Sequence, residues 1–164
     1  MFLRSIVRKQ RITISVIGGH DANIKEEQLA YNIGKIVAKA GAVLVCGGLK
    51  GIMAAACKGA KEERGLTVGI LPGKEKMDAN AFVDIAIPTS IGYARNAIVA
   101  CSADIIVALP GSHGTLSEIC YGIVFGRPVI DLGNWQKEGM IRVKNLKEAE
   151  VKIRQLIKSI ESQH

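Results

Sequence analysis

Short apolar runs punctuate the chain, and each of them stops at glycine or just before it. Residues 12–17 (Ile-Thr-Ile-Ser-Val-Ile) end at Gly18-Gly19, residues 42–46 at Gly47-Gly48, and residues 67–71 at Pro72-Gly73. Residues 104–109 end at Pro110-Gly111, and residues 128–132 at Gly133. The runs are rich in Ile and Val and nearly continuous, not alternating, which is the pattern of parallel strands buried on both faces. A further short strand is predicted near 83–87.

Between these runs the period lengthens to that of a helix. Residues 25–39 place Leu29, Ile33, Ile36 and Val37 on one face, and residues 51–63 are alanine-rich with Lys and Glu outside. Helices are also predicted over 91–101, 115–125 and 146–161. The last carries Val151, Ile153, Leu156, Ile157 and Ile160 opposite its charges, a stripe that could serve the sheet or a partner. Strand–helix alternation predicts βαβ units. The expected fold class is therefore α/β: a doubly wound parallel sheet, Rossmann-like, with helices on both faces. No repeat, low-complexity tract or linker intervenes, so residues 1–164 read as a single domain, with a basic segment at 1–11 and a C-terminal helix at 146–161.

Composition adds two things. Hydrophobic residues make up 48% of the chain but aromatics only 4%, so the core is expected to be aliphatic. The net charge of +7 sits at the ends: residues 1–11 hold Arg4, Arg8, Lys9 and Arg11 and no acid, and residues 136–164 hold seven bases against four acids. A nucleic-acid reader usually carries its basic patch on the folded body with aromatics to stack bases, so nucleic acid is not an expected partner. Cysteines 46, 57, 101 and 120 form no C-x-x-C pair and lie in apolar contexts, which predicts small buried hydrophobes in a reducing compartment. His20, His113 and His164 lack metal-ligand spacing, so no metal is expected. The apolar stretch 97–109 is too short to span a bilayer and is broken by Asp104. The basic N-terminus is not followed by a long apolar run, so no secretory signal is read there. The expected location is the cytoplasm, with no membrane partner.

The candidate chemistry lies in the glycine turns. In a parallel sheet ligands bind beyond the carboxyl ends of the strands. Three strands here end in glycine-rich turns that open helices: Gly18-Gly19, Gly47-Gly48-Leu49-Lys50-Gly51, and Pro110-Gly111-Ser112-His113-Gly114-Thr115. Helix N-termini present free N–H groups and a positive dipole end, and glycine lets the backbone approach a phosphate. Three such turns on one edge predict a small phosphorylated ligand. The dinucleotide fingerprint G-x-G-x-x-G is absent after the first strand, and no Gly-Lys-Ser/Thr loop occurs, so NAD chemistry and NTP hydrolysis are disfavoured.

The stretch from Pro110 through Gly111, Ser112, His113, Gly114, Thr115, Leu116 and Ser117 to Glu118 resembles the P-G-G-x-G-T-x-x-E motif of the LONELY GUY family, often labelled lysine decarboxylases. Gly47-Gly48-x-x-Gly51-Ile52-Met53 and Gly92-Tyr93-Ala94-Arg95-Asn96 extend the likeness over most of the chain. Ala94-Arg95-Asn96, with Gly126-Arg127-Pro128 and Trp135, is closer to the sister branch of molybdenum cofactor carriers. The resemblance implies Arg95 and Glu118 as catalytic residues of a nucleoside 5′-monophosphate phosphoribohydrolase. A carboxylate there could stabilise an oxocarbenium-like state or activate water, and the turns, Met53 and Asn96 would hold the nucleotide. Two departures point the other way. Ser112 replaces the motif's second glycine, a poor fit if that position needs positive φ, and Asn96 replaces a lysine. The alternative is a carrier that holds a nucleotide or molybdenum cofactor without chemistry. Neither reading requires a cofactor of the protein's own. Relatives imply a homodimer or larger assembly. Taken as a local pattern, Thr115-x-x-Glu118 is also a capping box, a structural role that Glu118 could fill instead of, or together with, a catalytic one.

Overall fold

Successive strand residues point to opposite faces, so an unalternating apolar run needs cover on both sides. The computed structural model, which describes residues 10–163, provides it. The basic residues Arg4, Arg8 and Lys9 and the histidine at 164 lie outside the described residues. Strands β1 (Thr13–Ile17), β2 (Val43–Cys46), β3 (Thr67–Leu71), β4 (Ile85–Pro88), β5 (Ile105–Ala108), β6 (Val129–Asp131) and β7 (Ile141–Arg142) form one sheet in the order β4-β3-β2-β1-β5-β6-β7. Every pair is parallel.

Helices α1 (Ile24–Lys39), α2 (Ile52–Glu62) and α5 (Leu146–Glu161) cover one face. Their Ile33, Val37, Ala56 and Ile153 pack with Ile14, Val16, Leu44, Ile105 and Val107. Helices α3 (Arg95–Cys101) and α4 (His113–Val124) cover the other, where Val99, Ala100 and Ile119 meet Ile17, Val45, Ile106 and Ala108. Neighbouring residues of β1 and β5 thus serve opposite layers. Every one of the largest fully buried side chains is Ile or Leu, each contributing about 1.5–3 kcal/mol on burial. The aliphatic core expected from composition is the observed one. Helices α1 and α2 touch backbone to backbone, because a Cβ on Gly34 would overlap the Ala56 carbonyl and one on Gly59 the Tyr31 carbonyl. A capping box between Asn23 and Glu26 starts α1, worth about 1 kcal/mol.

Four sequence expectations are corrected. The helix predicted over 91–101 is a 3₁₀ turn, Gly92–Ala94, followed by the short α3, because Ser90 and Gly92 both take positive φ, near 58° and 59°. The helix predicted from residue 115 starts at His113. Cys46 and Cys57 are buried, but Cys101 is only half-buried and Cys120, on the outer side of α4, is exposed. Val151 is half-exposed; α5 instead buries Ala149 and Ile153 and packs Leu156, Ile157 and Ile160 on the core. Its apolar stripe therefore serves the sheet side. The edge strand β4 leaves Ile85 and Ile87 half-exposed, and the two-residue β7 was too short to leave a sequence signal. Among the described residues, no helix is long and apolar enough to cross a membrane.

Candidate functional site

From β1 the chain winds outward through β2, β3 and β4, then returns to lay β5 on the other side of β1. The connections after β1 and β5 therefore leave in opposite directions, and a crevice opens between them at the carboxyl edge. The turns that bound it are tied backbone to backbone. Gly19 N–H donates to the Pro110 carbonyl at 2.9 Å, and Ile52 N–H donates to the Gly19 carbonyl at 3.1 Å. A Cβ on Gly19 would stand 3.3 Å from the Gly111 Cα.

The resulting cleft is about 510 Å³, a size suited to a small-molecule ligand. Of the residues singled out in the sequence, Gly18, Gly19, Met53, Arg95, Asn96, Ser112, His113, Gly114, Thr115 and Glu118 line it. Pro110 and Gly111 sit behind its wall, where the Pro110 carbonyl anchors Gly19. Gly47, Gly48 and Gly51 do not line it either. The Gly47 carbonyl accepts from Arg95 Nη2 at 3.4 Å, Gly48 (φ +76°) packs on Gly69 and Leu71, and Gly51 (φ +67°) packs on the Gly19 and His20 carbonyls. The sequence did not single out Leu49, Tyr93, His20 or Ser117 for the lining, although Leu49, Tyr93 and Ser117 lie inside the turns and motifs quoted above and His20 directly follows Gly18-Gly19. Lys50 stands exposed, 3.9 Å from Asp21.

At the cleft floor Arg95 and Glu118 are brought together from α3 and α4, with Nη1 and Oε1 3.7 Å apart and both side chains buried. Arg95 Nη1 also donates to Asn96 Oδ1. Asn96 Nδ2 in turn donates to Ser117 Oγ at 3.1 Å and the Gly114 carbonyl at 3.4 Å. Asn96 is thus a strut between the two helices that holds the guanidinium in place. Arg95 Nε, buried, has no partner. Burial pulls the Arg95 guanidinium below its ordinary range while Glu118 opposes the shift. Burial pushes the Glu118 carboxyl up to about 8, against the pull of Arg95. At neutral pH the floor therefore holds a cation beside a protonated acid, a net positive site.

The capping box expected at Thr115-x-x-Glu118 does not form. Ser112 is the N-cap, Thr115 is already the third helical residue, and Glu118 lies a turn further on, facing Arg95. Ser112 supplies no side-chain cap, so the first-turn amides of α4 have no helical acceptor and no capping oxygen. The conformational objection to Ser112 also falls, since its φ is −125°, ordinary extended backbone. Gly111 is the position that admits no side chain, because a Cβ would overlap the Thr115 hydroxyl and stand 2.9 Å from Gly19 N. Gly111→Ala should accordingly lower stability by about 1–3 kcal/mol, whereas Ser112→Gly should change it by less than about 0.5 kcal/mol. Urea unfolding midpoints of the two variants check this contrast.

A family model described as the SLOG cluster4 family matches residues 11–161. An uncharacterized protein of Archaeoglobus fulgidus is 42% identical over 119 residues, covering 73% of this chain and 78% of the relative. Among solved structures, the molybdenum cofactor binding protein from the phototrophic bacterium Rippkaea orientalis superposes with a TM-score of 0.85 at 34% identity, over 91% of this chain and 99% of that one. The molybdenum cofactor carrier protein MCP from Chlamydomonas reinhardtii superposes with a TM-score of 0.82 at 30% identity, again over 91% of this chain and 99% of that one.

Proposed function

The chain belongs to the SLOG cluster4 family, and from that premise we propose that it is a carrier, binding a phosphorylated ligand in the cleft without transforming it. The ligand class is a nucleotide or a pterin-type phosphate such as molybdenum cofactor, held as cargo. One observation carries the reading: a buried arginine with an unpartnered Nε lies under the uncapped start of α4, beside a carboxyl that carries no charge at neutral pH. A phosphate there would meet a desolvated cation and free backbone N–H groups, with no anion to repel it. The likeness to two molybdenum cofactor proteins over nearly their whole length supports the same class of cargo.

Hydrolysis of an N-glycosidic bond is the second reading, and Glu118 is what favours it. A protonated carboxyl at the cleft floor could act as general acid toward a leaving base. Most glycoside hydrolases pair such an acid with a second carboxylate that activates water or attacks the sugar, and among the described residues no other Asp or Glu lines the cleft. The hydrolase reading therefore rests on Glu118 with Arg95 alone.

Thermal-shift titration with a panel of phosphorylated compounds tests the carrier. A true ligand should stabilise the fold by about 2.7 kcal/mol at a hundredfold excess over its Kd, and the reading is abandoned if no member shifts the transition. Parallel incubation with AMP, assayed for free adenine, decides between the readings. The carrier predicts no more release than from a Glu118→Gln control.

A further inference from the structure

Apolar and aromatic groups also line the cleft, and the phosphate reading leaves them unused. Leu49 and Met53 line it from the turn and helix that follow β2. Tyr93, from the 3₁₀ turn before α3, lines it too and is 83% exposed. The chain has three tyrosines, and the other two are engaged. Tyr31 donates to Glu62 at 2.6 Å and carries Lys35 over its ring, and Tyr121 stacks on Phe125. Among the described residues, Tyr93 has no such hydrogen bond or ring contact.

An exposed tyrosine on a loose loop would mean little, but this loop is tied down. Thr89, Ser90 and Gly92 donate their amides to Leu71, Gly73 and Pro72 at 3.1, 3.0 and 3.0 Å, so the backbone leading to Tyr93 is docked on the end of β3. Ser90 holds φ near +58°, a strained value for a residue with a Cβ. The main chain is set, and only the ring remains to be ordered. A tyrosine on a fixed backbone loses little entropy when it covers a flat surface.

We infer that Tyr93 is a stacking platform that selects ligands bearing a planar heterocycle, with the ring side of the ligand lying on Tyr93 while its phosphate lies on Arg95 and the start of α4. This rests on the phosphate-site reading of the cleft. It goes further by making the aromatic plane, a purine or a pterin, the discriminating part of the ligand. The contact is the ring face and not the hydroxyl, so phenylalanine serves as well as tyrosine.

Isothermal titration of the full chain with AMP and with ribose 5-phosphate, which lacks the base, tests it. The wild type should prefer AMP, Tyr93→Ala should lose about ten- to a hundredfold in AMP affinity with ribose 5-phosphate unchanged, and Tyr93→Phe should keep the preference. Because the side chain is exposed, Tyr93→Ala should fold like the parent. Equal affinity of the wild type for both compounds, or a Tyr93→Ala variant that keeps its AMP preference, overturns the platform and leaves the phosphate site standing. A wild type that binds neither these compounds nor any phosphorylated purine or pterin of the thermal-shift panel overturns both.

Discussion

Arg95→Met is expected to weaken binding of a phosphorylated ligand by about a hundredfold or more and still leave the protein folded. No lysine and no second arginine lines the cleft among the described residues, so Arg95 has no substitute there. Its charge is buried, its Nη1 is held by Asn96 and its Nη2 faces the Gly47 carbonyl, while the buried Nε has no partner among the described residues. A charge already desolvated and fixed makes a stronger contact to phosphate than a mobile surface cation. Removing it strands Glu118 without a counter-ion. A carboxyl can escape that penalty by holding its proton, and burial already keeps Glu118 protonated to about pH 8, so the fold should survive at neutral pH. Titration calorimetry with AMP, with circular dichroism to confirm folding, gives the result. Arg95→Lys should recover only part of the affinity, because an ammonium lacks the planar fork. Binding by Arg95→Met within about threefold of the parent would remove Arg95 from the site, since even a modest charge-assisted bond is worth more.

Glu118→Gln should flatten the pH dependence of stability. The Glu118 carboxyl is raised in the folded state from an ordinary 4.5 to about 8. Between those values the folded chain holds a proton that the unfolded chain has released, so stability falls as pH rises, by roughly 1.4 kcal/mol per pH unit. Below 4.5 both states hold the proton and the contribution is fully present; above about 8 both have released it and the loss is complete. Summed over the window, the loss is on the order of a few kcal/mol. The amide of Gln imitates the neutral acid at every pH, so the variant should lose this slope and become the more stable protein at alkaline pH. Urea unfolding of both proteins from pH 5 to 9 measures it, and superimposable pH profiles would count against a buried, proton-bearing Glu118. Ligand affinity of the parent should fall through the same upper limit, as an ionised Glu118 confronts the phosphate; in Glu118→Gln it should not.

Much of the fold could be read along the chain because the signals are local. Unalternating apolar runs ending in glycine required strands with cover on both faces, and the intervening helical periods supplied that cover. Boundaries were lost where local pattern was ambiguous. The apolar run of 91–101 reads as one helix, yet Ser90 and Gly92 bend the backbone and delay α3 until Arg95. Thr115 and Glu118 have the spacing of a cap, yet the helix begins at His113, and that shift of one turn frees Glu118 to face Arg95.

The glycine turns divide along the same line. Their placement at strand ends, and hence an anion-binding edge, was written in the sequence, because the reason for glycine there is local backbone geometry. Which turns meet the ligand was not. Gly18-Gly19 and residues 112–115 line the cleft, whereas Gly47, Gly48 and Gly51 serve to seat Arg95, β3 and the first turn. Only the strand order, with β5 returning beside β1, decides that. It also decides that Arg95 and Glu118, 23 positions apart in sequence, share one buried floor. Residue types alone promised a cation and a carboxylate; burial, a property of the packed molecule and of no single residue, turns them into a cation and a neutral acid.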